Sequence, residues 1–277
     1  MRPRQLPVTD IGRWRTDPYA VYAKRILCLE PLDAIDADVG PLERGILVHR
    51  ALEEFVRKYP GPLDQNAASR LIEIGEALFN HFKIPSALRA SWRPRFANAA
   101  QWFVSKDRLR RESIARSHTE VRGELTIQTS CGSLLLTARA DRIDVLKDGR
   151  AVIIDYKTGN PPKPKQIEAL LAPQLPLEAA MLVAGAFPDL GAKTPAELIH
   201  VCFSGGKDPG EFSSIKEPAT SISQRAIDDL KIRIERYARQ STGYLSQAIA
   251  EGTNFRGDYD HLARVGEWTF ERAADME

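Results

Sequence analysis

A mixed α/β (α+β) fold, with a β-sheet core flanked by helices and helical additions at the N- and C-terminal ends, is predicted by three features of this 277-residue chain. Apolar residues recur at helical spacing through about residue 116. The period then shortens to two across residues 119–156, broken by two short polar turns. Helical spacing returns from Gln166 onward, around one isolated apolar run at Glu197–Phe203. The length suits one large domain with a substantial core: a helical part at 1–116, a central sheet at 117–205, and a helix and tail at 206–277.

The elements follow in order. Asp17 before Pro18 is an N-cap and first-turn pair, opening a helix to about Leu27. A second helix carries Gly45, His49, Leu52, Phe55 and Val56 and stops at Tyr59-Pro60-Gly61-Pro62. Asp64 caps a third from Gln65 to about Phe82, and a fourth spans Ser86–Arg116 with a kink at Pro94. Thr119–Gln128, Leu134–Leu146 and Ala151–Tyr156 read as strands joined by Ser130-Cys131-Gly132 and Lys147-Asp148-Gly149. Gln166–Phe187 is helical with interruptions at Pro173 and Pro176, and a long helix covers Ile222 to about Ile249. No repeat or low-complexity segment is present.

Composition excludes more than it assigns. Hydrophobic residues make up 43% and charged residues 27%, as in ordinary globular proteins. No apolar run approaches the ~20 residues a membrane span needs, and the N-terminus lacks a signal-peptide core. Cys28, Cys131 and Cys202 are few, odd in number and scattered, so they read as free thiols in a reducing compartment, and a cytoplasmic location is expected. A net charge of +2 means that any nucleic-acid contact must come from a local patch. No G-x-x-x-x-G-K-[ST] stretch occurs, so nucleotide hydrolysis is not expected of this chain.

Chemistry concentrates in ARADRID and AVIIDYKTG. Two carboxylates and an amine stand there in strand-like apolar runs, where unpaired charge costs several kcal/mol. Alternation puts Ile153, Asp155 and Lys157 on one face and Val152, Ile154 and Tyr156 on the other. Whether Asp141 joins Asp155 depends on the hairpin. A two-residue loop at Asp148-Gly149 would oppose Asp141 to Tyr156 and separate the carboxylates. A three-residue loop, Lys147 to Gly149 with a left-handed Gly149, opposes Asp141 to Asp155, and this is the expected form. Carboxylates gathered in this way suit a divalent cation beside an activated water.

The order GILVHRALEEF, ADRID, DYKTG, QLPLEAAM resembles the PD-(D/E)xK nuclease superfamily in its RecB-like branch. The flanks DPYAVYAKRILCLEPLD and GDYDHLARVGEW extend the likeness to the C-terminal nuclease domain of AddB, part of a helicase-nuclease that processes double-strand breaks. The resemblance implies a restriction-endonuclease-like fold and a Mg2+- or Mn2+-dependent DNA exonuclease. It would act on single- or double-stranded ends in repair and recombination, alone or with a helicase-nuclease partner subunit. Gly45 and His49 match the branch's G-x-x-x-H, which makes His49 a metal ligand. Asp141 and Asp155 are the carboxylate ligands, the Tyr156 carbonyl a further oxygen, and Lys157 the group that orients water and stabilises developing charge. Gln174 matches the glutamine of Q-x-x-x-Y, but Glu178 stands where the tyrosine belongs. Glu120, at a strand start, is a weaker candidate. His81, His118, His200 and His261 match nothing and read as structural or surface residues.

A basic stretch within Ser86–Arg116 supplies Arg108, Arg110 and Arg111 as candidate phosphate contacts, while its aromatics read as core. The rival reading is a non-catalytic DNA-binding or scaffolding domain of the same fold; the complete set of site residue types favours the enzyme. Many AddB-type domains hold an iron–sulfur cluster on four cysteines. Three scattered thiols cannot supply one, so a colourless, iron-free preparation is expected; broad visible absorbance with stoichiometric iron would contradict this. Phe255, Tyr259, Leu262 and Trp268 of the tail are expected to pack on the N-terminal helices instead.

Overall fold

A computed structural model of the protein describes residues 2–31, 40–248 and 257–267. Its centre is a six-stranded mixed sheet. Strands β2 (Ile114–Thr129) and β3 (Gly132–Leu146) form a long antiparallel hairpin, and β4 (Ala151–Lys157) pairs antiparallel with the second half of β3. Beyond β4 lie β5 (Pro195–Phe203), parallel to it, and β6 (Gly210–Ser214), antiparallel at the edge. A short β1 (Gln5–Pro7) runs parallel to Leu135–Thr137 of β3.

Helices cover both faces. On one lie α3 (Pro41–Lys58), α4 (Ala67–His81) and α5 (Ser86–Arg111), whose Leu52, Phe55, Leu71 and Phe103 pack on Val152, Ile154 and Tyr156. On the other lie α1 (Val8–Thr16), α6 (Pro164–Glu168), α7 (Gln174–Val183) and α8 (Ala219–Ala238), packed on Ile143, Ile153 and Leu198. This division bears out the face assignment read from AVIIDYK. A core of two layers against one twisted sheet also explains why β4 is buried throughout. Next to α1, α2 (Pro18–Arg25) starts at Asp17, whose Oδ1 accepts the Ala20 amide at 3.3 Å.

The β3–β4 hairpin has the expected three-residue loop. Leu146 N donates to Arg150 O at 2.8 Å, and Gly149 adopts φ +86°, where a side chain would be strained. The paired register ends at Arg142↔Ile154, one residue short of Asp141 and Asp155.

Several boundaries differ from expectation. The fourth helix ends at Arg111, where Ser113 Oγ returns to Arg110 O, and Arg116 lies on β2 opposite Val145. The helical segment expected over Gln166–Phe187 is interrupted at Pro173 as foreseen, which separates α6 from α7, but not at Pro176, which is tolerated because first-turn N–H groups need no helical acceptor. The last helix stops at Ala238, and residues 239–248 are turns and extended chain. β1, α1 and β6 were not foreseen. In the tail, Tyr259 packs with Ala20 and Ala23 and donates to Leu29 O at 2.7 Å, as expected, whereas Leu262 is 43% exposed. Phe255 and Trp268 lie outside the described residues.

The β2–β3 hairpin also inverts its faces midway. On β3, even-numbered Leu134, Leu136, Ala138 and Ala140 enter the α1/α7/α8 core, as do odd-numbered Val121 and Ile127 of β2. Beyond Asp141 that core receives odd-numbered Ile143, while Arg142 and Asp144 join Asp107 of α5 and Ser117 of β2. At the changeover Glu120 has φ +55°, although Thr119↔Arg142 and Val121↔Ala140 keep one register on either side. No residue is inserted; the backbone of Glu120 absorbs the turn-over.

Candidate active site

Asp141 lies at this inversion. Its carboxylate leaves the sheet at the rim, where Oδ2 accepts the Tyr156 amide at 2.8 Å and stands 3.4 Å from His49 Nδ1 of α3. Helix α3 reaches this rim because Gly45 lets it lie close to the end of β4: a Cβ there would stand 3.3 Å from Thr158 Oγ1. Arg44 secures the contact by donating to Thr158 O at 2.7 Å. Glycine in this helix therefore does mark a close approach.

Asp155 sits one strand further in and is 2% exposed. Lys157 Nζ contacts both its oxygens, at 3.0 Å to Oδ1 and 2.9 Å to Oδ2, and Gln174 Nε2 donates to Oδ1 at 2.9 Å. The Oδ2 atom, although in charge contact with Lys157, accepts no well-directed hydrogen bond. Burial pushes the Asp155 pKa up to about 6, against the pull of Lys157 and with a further push from Asp141. Lys157 is raised as well: burial opposes its charge, but Asp155 more than compensates. For His49, burial again opposes protonation, yet the hydrogen bond and charge of Asp141 leave it above its ordinary range.

Five residues from separate places in the sequence thus meet at one point: His49 on α3, Asp141 on β3, Asp155 and Lys157 on β4, and Gln174 on α7. Tyr156 contributes its backbone; its side chain lies buried on the opposite face. Two residues not assigned a role from sequence also stand here. His200 pairs with Asp155 across β4–β5, with Nε2 3.9 Å from Oδ2, and burial and Lys157 push its pKa down to about 4, keeping it neutral. Glu178 is 1% exposed and accepts from Gln174 Nε2 at 3.2 Å. Burial, then Asp155 and Asp141, hold its carboxyl well above the usual range. A histidine beside the carboxylate could not be read in advance, because a parallel register depends on the crossover through α6 and α7.

The three arginines expected to contact phosphate stand in different settings. Arg111 is 8% exposed, bonds Asp107 at 2.7 Å and donates to the carbonyls of Tyr59 and Gly61. Arg110 pairs with Glu197 at 3.6 Å and lies over the Phe212 ring. Only Arg108 of the three is exposed, and it donates to Asp64 O at 2.7 Å. Arg111 is thus an internal brace of α5, whereas Arg93, Arg95, Lys106, Arg108 and Arg116 of the same stretch are exposed.

A family model described as the PD-(D/E)XK nuclease superfamily matches residues 6–258. The chain belongs to this superfamily. Relatives include uncharacterized proteins of Rickettsia bellii, 33% identical over 205 residues (73% of this chain and 24% of that protein), and of Rickettsia conorii, 33% identical over 191 residues (67% and 23%). The chain thus spans about a quarter of the length of the curated relatives it matches. The crystal structure of SSO0001 covers 85% of this chain, and the chain 78% of it, at 15% identity and a TM-score of 0.39, too low an overlap to argue from.

As a PD-(D/E)XK site, the donor set fits a hard divalent cation. It offers an imidazole and two carboxylates, one with a buried oxygen lacking a directed hydrogen bond. Among the described residues no three such side chains already form a closed ligand group; His49 and Asp141 face each other, and Asp155 faces Lys157. No helix among the described residues is long and apolar enough to cross a membrane.

Proposed function

We propose that this PD-(D/E)XK chain is a metal-dependent deoxyribonuclease of exonuclease type that hydrolyses phosphodiester bonds at DNA ends during double-strand break repair and recombination. The observation that carries the reading is the convergence of Asp141, Asp155, Lys157, Gln174 and His49 at one rim of the sheet. His49, Asp141, Asp155 and the Tyr156 carbonyl would hold Mg2+ or Mn2+, which when bound lowers the pKa of a water and offsets phosphate charge. Lys157 stays protonated beside Asp155, so its work is to orient that water and stabilise negative charge in the transition state rather than to remove a proton. Gln174 fixes the Asp155 carboxylate from the α7 side, and its other amide contact to Glu178 holds it in place.

Relatives several times longer than this chain accommodate a nuclease module working beside other machinery, and a RecB-like or AddB-like role with a helicase-nuclease partner subunit fits that arrangement. Digestion of end-labelled DNA with and without a divalent cation tests the reading. Within it, His49→Ala is expected to raise the Mg2+ or Mn2+ concentration for half-maximal cleavage on the order of tenfold, the scale that even second-layer losses reach. A metal titration of cleavage checks this, and an unmoved midpoint would remove His49 from the ligand set.

A further inference from the structure

The cleft in front of the site, about 540 Å3, is lined by His49, Arg50, Glu53, Glu120, Arg139 and Asp141 among others. A phosphodiester entering it meets three carboxylates, and Lys157 is committed to Asp155. The approach therefore draws on the cations at the mouth, Arg50 and Arg139. Arg139 stands there, two residues before Asp141 on β3, with a side chain 59% exposed and its guanidinium paired to Glu120, which is 18% exposed. Glu120 is the residue whose backbone is forced to φ +55° opposite Asp141. A glutamate pays strain at that conformation, whereas glycine would adopt it freely. Strain held beside a chemical site points to use of the side chain it presents.

Resting on the nuclease reading above, we propose that Arg139 contacts a backbone phosphate of the DNA in this cleft, and that Glu120 is the positioning residue that aims it. The pairing keeps the guanidinium over the cleft rather than swinging into solvent, and the strained backbone is what brings the Glu120 carboxylate to that side of the hairpin.

The test is binding of fluorescent DNA, a duplex with a single-stranded overhang, measured by anisotropy in EDTA from about 50 to 200 mM salt. Arg139→Ala is expected to raise Kd about tenfold at the lower salt and to reduce the log–log salt slope by about 0.9, the value for one phosphate. Glu120→Gln should weaken binding in the wild-type background but have no further effect in Arg139→Ala, because it acts through that arginine. Glu120→Gly, which removes strain and carboxylate together, should raise the thermal midpoint and still weaken binding, which separates the charge from the fold. A Kd and slope unchanged in Arg139→Ala overturn the phosphate contact. Tighter binding by Glu120→Gln to an equal extent in both backgrounds, as for a merely repulsive anion, overturns the positioning role, as does wild-type affinity in Glu120→Gly. A wild-type chain that binds with the expected slope but never cuts with a cation present overturns the nuclease reading and leaves the contact standing.

Discussion

Asp155→Ala and Lys157→Ala each lower DNA cleavage by at least about 100- to 1,000-fold, the usual loss when a positioned charge is removed from a transition state, while the thermal midpoint stays close to that of the wild type. The fold survives because neither side chain is a packing residue, and in Lys157→Ala the Asp155 carboxyl, already pushed up to about 6, keeps Gln174 and can take up a proton. Asp155 is a buried carboxylate with one poorly satisfied oxygen, so its removal also removes a desolvation cost. Lys157 is partly exposed and can extend to water once unpaired. Ile153 and Ile154 keep β4 in both cores. Asp141→Ala is expected to behave alike. Cleavage rates and melting curves of the purified variants check both halves, and wild-type rates in either β4 variant would remove it from the chemistry.

Arg142→Ala has the opposite character: a large loss of stability. Arg142 is fully buried, 2.8 Å from Asp107 and 2.7 Å from Asp144, and Asp107 also pairs with Arg111. Burial opposes all of these charges. Asp107 nonetheless stays below its ordinary range because Arg142 and Arg111 outweigh that cost. Without Arg142, two carboxylates remain in the dry layer between β3 and α5, a change that costs about 3–5 kcal/mol. Against a total of roughly 5–15 kcal/mol, and at roughly 2–4 °C per kcal/mol for a domain of this size, the midpoint should fall by roughly 10 °C or the chain should fail to fold. Thermal or urea denaturation measures it; an unchanged midpoint would show that the cluster is relaxed or hydrated.

The two networks share one hairpin, which shows what sequence could and could not reveal. The expected three-residue loop is found, with Gly149 left-handed at its end, because a hairpin register is a local matter. The faces of β4 followed from alternation, and Gly45 pointed to close packing that Thr158 provides. Residues whose meaning depends on distant partners were misread or missed. Arg110 and Arg111 looked like a phosphate-binding run, but their partners are Glu197, Asp107 and two carbonyls around Pro60. His200 meets Asp155 only through a parallel crossover, and β1 and β6 are too short to carry a period of their own. The inversion at Glu120 is marked only by the core-facing residues of β3 changing from even-numbered Leu134, Leu136, Ala138 and Ala140 to odd-numbered Ile143, because no residue is inserted there.

The central claim, that this rim of the sheet hydrolyses DNA with a divalent cation, is tested most directly by incubating the wild-type chain with end-labelled single- and double-stranded DNA in Mg2+, Mn2+ or EDTA. Release of short labelled products from the ends in Mg2+ or Mn2+, abolished by EDTA and by Asp155→Ala, is the predicted result. Intact DNA under every condition, or cleavage that persists in EDTA or in Asp155→Ala, would contradict it.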